Sequence, residues 1–113
     1  LPFKYALNTA AKMVKEFKKP YSAVYVKCHQ AAIELNFDIT REDIGGGEIL
    51  FKVGMSWFSW GEKFKIVITR SGLNQTRVEI ASEAAFEAQV IDWGKNDNNV
   101  QSFFETLNGL LKA

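Results

Sequence analysis

Between Phe37 and Ser82 four short segments alternate apolar and polar residues, and this repeated period of two constrains the fold more than any other feature of the chain. The first, Phe37–Arg41, sets Phe37 and Ile39 on one side. The second, Glu48–Met55, turns Ile49, Phe51 and Val53 inward; the third, Lys63–Arg70, does the same with Phe64, Ile66 and Ile68. The fourth, Thr76–Ser82, offers Val78 and Ile80. Asp43-Ile44-Gly45-Gly46-Gly47 and Ser71-Gly72-Leu73-Asn74 supply turns between them. Strands that alternate in this way belong to an antiparallel sheet with one buried and one open face.

The flanks read as helices. Pro20-Tyr21-Ser22 opens one, with Ser22 as the expected N-cap and Tyr21 and Val26 as a hydrophobic staple. Val24, Cys28, Ala31 and Leu35 line its apolar face. Asn36 suits the left-handed residue that ends a helix, and Phe37 the apolar contact beyond it. A last helix is expected from about Asp97 to Leu111, capped by Asn96 or Asp97. Its stripe is Val100, Phe103, Phe104, Leu107, Leu110 and Leu111. Residues 1–19 fit either a helix or a charged edge strand; a strand over about 11–18, with Met13, Lys15 and Phe17 on one face, fits better after a short arm at 1–10. Residues 83–95 read as irregular.

The whole is one α+β domain over 1–113, with an antiparallel sheet of about five strands in the order β-α-β-β-β-β-α and both helices on its apolar face. At 113 residues it buries roughly 65% of its unfolded surface, enough for one core. The β-α-β4-α order resembles the TATA-box-binding-protein-like folds and, more loosely, the helix-grip folds of lipid-transfer proteins. Locally, Gly54-Met55-Ser56-Trp57-Phe58-Ser59-Trp60-Gly61-Glu62 followed by Ile91-Asp92-Trp93-Gly94-Lys95-Asn96 resembles an uncharacterised group of small bacterial domains with an SWGE segment between two strands. That resemblance covers about 11–112 and implies a fold without an activity.

The residue types argue against most chemistry. One cysteine excludes an internal disulfide and calls for no oxidising compartment. Cys28 and His29, the only residues of their kinds, are neighbours on a helix and point about 100° apart, so they form no nucleophile–base pair. Cys28 reads as a core residue and His29 as a surface or edge one. The set of ligands for a zinc site is missing, and the sequence calls for no cofactor or metal. Glu42-Asp43 and Glu83/Glu87 read as solvated carboxylates. Gly45-Gly46-Gly47 leads into a strand rather than a helix and reads as a hairpin turn, not a phosphate loop.

The net charge of +1 advertises no polyanion partner, although 1–27 carries six lysines against Glu16 alone and 83–105 carries five acids against Lys95 alone. The expected open face holds Glu48, Leu50, Lys52, Lys63, Lys65, Val67, Thr69, Arg77 and Glu79, mixed in charge and free of aromatics, which argues against nucleic acid. No apolar run reaches the ~18 residues of a membrane span, and a cytoplasmic location is expected, with a removed N-terminal signal left open.

The aromatic segment Trp57, Phe58 and Trp60, with Trp93 expected at the same end, is the clearest candidate for a working surface. It would close the core, line an apolar cavity, or anchor a partner. The expected function is a non-enzymatic binding or protein-interaction domain. The alternatives are a carrier of a small apolar ligand lined by Phe51, Phe64, Phe103 and Phe104, and a nucleic-acid module using Lys12, Lys15, Lys18 and Lys19. A fourth reading is a subunit that pairs its edge strand with a copy of itself.

Overall fold

The computed structural model describes residues 12–54, 62–83 and 98–112. Seven elements follow one another: β1 (Lys12–Phe17), α1 (Tyr21–Glu34), β2 (Asp38–Asp43), β3 (Glu48–Val53), β4 (Glu62–Gly72), β5 (Gln75–Ser82) and α2 (Asn98–Lys112). The strands form one antiparallel sheet in the order β1-β5-β4-β3-β2, so β1 and β2 are its two edges. The β-α-β4-α expectation is therefore correct, and the strand expected over about 11–18 is found at Lys12–Phe17.

The alternating residues meet across the strands. Ile49 faces Ile66, which faces Ile80; Phe51 faces Phe64; Ile68 faces Val78. All seven are buried on the helix side of the sheet. Met13 and Phe17 of β1 fall opposite Ile80 and Thr76 and pack on the same core. The helices supply Val24, Tyr25, Cys28, Ala31 and Ala32 from α1 and Val100, Phe103, Phe104, Leu107 and Leu111 from α2. Phe37, Phe51 and Phe64 stack in a column, with ring centroids 4.5 and 5.3 Å apart. The other side carries the mixed row expected of it, tied by ion pairs from Lys12 to Glu79 (3.2 Å) and Lys65 to Glu48 (3.5 Å).

Two ends of α1 show how sequence chooses its boundaries. At the start, Pro20 is the N-cap in extended backbone, and its carbonyl accepts the first helical bond from the Val24 N–H at 3.1 Å. Ser22 lies inside the first turn and no side chain caps the helix, because the N-cap residue is a proline, whose side chain has no acceptor to offer. The expected staple is not formed either: Val26 is 55% exposed, and Tyr21 lies against Tyr25 at 6.2 Å. At the end, Asn36 adopts φ 59°, its N–H bonds to Ile33 O and that of Phe37 bonds to Ala32 O. This is the left-handed stop read from the sequence, with Phe37 folded back into the aromatic column.

β2 departs from the sequence reading. It runs Asp38–Asp43, and its register against β3 slips between Ile39 and Arg41. Thr40 is the extra residue of a β-bulge, and its hydroxyl donates to Leu50 O at 3.3 Å. The slip sets Ile39 opposite Phe51 and Glu42 opposite Ile49, both on the helix side, while Arg41 opposite Leu50 goes to the open side. Simple alternation from Ile39 would have turned Arg41 inward instead.

Candidate functional site

Glu42 reaches the helix side at an edge, where solvent and the flank of α1 meet it. One of its oxygens, Oε2, accepts from the Tyr25 hydroxyl at 3.0 Å and lies 3.0 Å from His29 Nδ1. Tyr25 and His29 are four residues apart and so share one side of the helix. A carboxylate only accepts, so Nδ1 carries the proton and Nε2 is left facing outward as an acceptor in the neutral ring. Burial first, and the Glu42 carboxylate second, push the Tyr25 hydroxyl well above its ordinary range, so it stays a donor.

The hairpin beside it is fixed from the same helix. The Tyr21 hydroxyl donates to Ile44 O at 2.6 Å, and the Arg70 guanidinium lies 4.2 Å from the centre of the Tyr21 ring. Asp43 Oδ1 accepts from the Gly46 N–H at 3.0 Å, which shapes the turn. Of the three glycines, only Gly47 has a positive φ, at 71°. Its carbonyl accepts from the Ile68 N–H at 2.8 Å and locks the turn to β4.

These anchors frame an open groove of about 380 Å³ lined by Tyr25, Val26, His29, Glu42 and Ile44. Val26 and Ile44 are 55% and 59% exposed, so the walls are apolar and unfilled, while the floor is a carboxylate held by two donors. A second groove lies at the other edge, between β1 and α2, and is more polar: Lys15, Gln101, Glu105 and Asn108 join Met13 and Phe104 there. Lys15 points inward from β1, its ammonium 5.5 Å from the Phe104 ring centre.

Trp57, Phe58, Trp60 and Trp93 all lie outside the described residues, as do the expected caps Asn96 and Asp97 and most of 83–95. Sequence reading placed Glu42-Asp43 in a solvated turn and His29 at the surface. It missed that a bulge joins Glu42 to His29 and Tyr25. The available signal was the helical spacing of Tyr25 and His29; the bulge itself has no mark in the sequence. Cys28 points into the core, where burial drives its thiol pKa well up, and it takes no part in the groove. Among the described residues no three His, Cys, Asp or Glu side chains converge as metal ligands, and no helix is long and apolar enough to cross a membrane.

No protein-family model matches the chain, and no curated protein matches it.

Proposed function

We propose that this domain is a non-enzymatic binding module, and that the groove between α1 and β2 is a working surface. The observation that supports this most is Glu42, oriented by Tyr25 and His29 between two exposed apolar side chains, Val26 and Ile44. Oriented carboxylates with apolar walls suit a group that is both apolar and a hydrogen-bond donor, such as the end of a lysine or arginine side chain. Oε2 takes the two internal donors, which leaves Oε1 to accept from the ligand.

The interior supports a surface site over a carrier's cavity. Phe51 and Phe64 stack, Phe103 and Phe104 meet edge to face at 5.5 Å, and all four are buried against protein. The ion-paired open face likewise favours a protein ligand over nucleic acid. Trp57, Phe58 and Trp60, which cluster in the sequence, with Trp93 expected at the same end from the order of elements, are the second proposed surface.

Two-dimensional amide NMR of the labelled domain tests the proposal, titrated with n-butylguanidinium, n-butylammonium and butyrate. The cations are expected to shift the Val26, His29, Glu42 and Ile44 amides, and butyrate to leave them unmoved. Shifts confined to 55–61 and the Trp93 indole would move the working surface to the aromatic segment. Equal response to butyrate would refute the role of Glu42.

A further inference from the structure

The groove runs beside an edge strand. β2 hydrogen-bonds to β3 on one side only, and among the described residues nothing pairs with its other side. The helix lies along the strand in the opposite direction: Tyr21 meets Ile44, and Tyr25 and His29 meet Glu42. Further along α1, Ile33 is 54% exposed, seven residues after Val26 and therefore on the same side of the helix. Val26 and Ile33, with His29 between them, thus form a stripe about 10 Å long beside the edge of β2 that no described strand pairs with. An extended chain advances about 13 Å over four residues, so side chains at alternate positions match this stripe.

The two edges of the sheet differ in the way this requires. Lys15 points into the groove beside β1 and sets a charge in the path of an added strand. Among the described residues no lysine or arginine lines the groove beside β2. There Glu42 faces the helix side, with the exposed Glu34 at the end of α1, while Arg41 faces the open side of the sheet together with Asp38 and Asp43. The bulge at Thr40 interrupts the edge and confines regular pairing to a short stretch, which fixes its register.

We infer that the groove receives a short extended peptide that adds as a strand to the edge of β2, with a lysine or arginine side chain at Glu42 and apolar side chains two residues to either side against α1. The inference rests on the groove being a binding surface and adds to it the partner's backbone geometry and its alternating pattern.

The test is selection of phage-displayed random octapeptides on the intact domain, followed by affinity measurements on the synthetic peptides by fluorescence anisotropy. The expected consensus has a basic residue flanked at both second neighbours by apolar ones. Glu42→Gln, which keeps a hydrogen-bond acceptor for Tyr25, should weaken binding about tenfold. Val26→Asp, placed at an exposed site, should do the same while circular dichroism stays unchanged. Backbone N-methylation of the peptide decides the geometry. Methyl groups on one alternate set of residues should abolish binding, and on the other set should leave it intact.

Tolerance of N-methylation at every position, or a consensus without a basic residue, overturns the strand addition. If butylguanidinium still shifts the groove amides in that case, the binding reading survives alone; if it does not, both fall. A domain that sediments as a dimer, and as a monomer once Val26→Asp is introduced, would put a second copy on the edge and overturn the peptide.

Discussion

Replacing Gly47 with alanine should cost far more than its place in a glycine-rich turn suggests. The residue sits at φ 71°, where an L side chain costs about 1–2 kcal/mol. A Cβ there would fall 2.1 Å from Ile68 O and 3.1 Å from the Tyr21 hydroxyl oxygen, against 3.4 Å for ordinary contact. The near obstacle is backbone of the central strand β4, so the turn must retreat. In doing so it stretches the 2.8 Å bond from the Ile68 N–H to Gly47 O, worth about 0.5–1.5 kcal/mol. The combined loss is about 3 kcal/mol, a large share of the ~5–15 kcal/mol of a typical domain. Urea unfolding followed by far-ultraviolet circular dichroism measures it. With a slope of about 1.5 kcal/mol/M, the midpoint should fall by about 2 M at unchanged slope. Gly45→Ala is the control: its Cβ would sit 3.5 Å from Asp43 Oδ1, and the change should stay within about 0.5 kcal/mol. A loss below about 1 kcal/mol for Gly47→Ala would refute the close approach of turn and strand, and with it the fixed position of Ile44.

Three further outcomes follow from the packing and the charges. Phe51→Ala, at the centre of the aromatic column, should cost about 3–5 kcal/mol in the same assay, and Phe51→Leu clearly less, since it keeps most of the volume and loses only the ring contacts. Glu16 is held below its ordinary value of 4.5 by the Ser71 hydroxyl and then by Arg77. Its contribution to stability is complete above pH 4.5 and is lost as pH falls through the lowered folded value, so Glu16→Gln should flatten the acid limb of a stability–pH profile. Burial raises the Cys28 thiol above its ordinary 9.0, which keeps it protonated; native protein at pH 8 should resist iodoacetamide until urea opens the fold, and rapid native labelling would contradict the buried position.

The period of two in 37–82 and the stripes of Val24–Leu35 and Val100–Leu111 made the fold legible, because each element buries one side only. Gly45-Gly46-Gly47 was legible as a turn, but not which glycine matters: that depends on Ile68, twenty-one residues away. β2 and β4 also ran beyond their expected ends, with β4 reaching Gly72 and only Leu73 and Asn74 left to turn, since pairing with Gln75 extends the ladder into residues of low strand preference. The groove was the least legible part. Its floor depends on a register slip that no residue type announces, and its walls are apolar residues on the exposed side of elements whose buried sides dominated the pattern. The staple read from Tyr21 and Val26 failed for the same reason: Tyr21 is held by Ile44 and Arg70, contacts remote in sequence.

The bulge at Thr40 has a consequence for comparing this chain with others. Thr40 is the residue that the partner strand leaves unmatched, so a relative one residue shorter at this point would keep Ile39, Glu42 and Ile44 on the same side and lose only the kink. Loss of Glu42 instead, with simple alternation restored, would set Arg41 beneath the helix in its place and invert the sign of the groove. Two sequences that align equally well column by column can therefore differ in charge at this surface, and ladder partners rather than columns are the units in which its history should be traced.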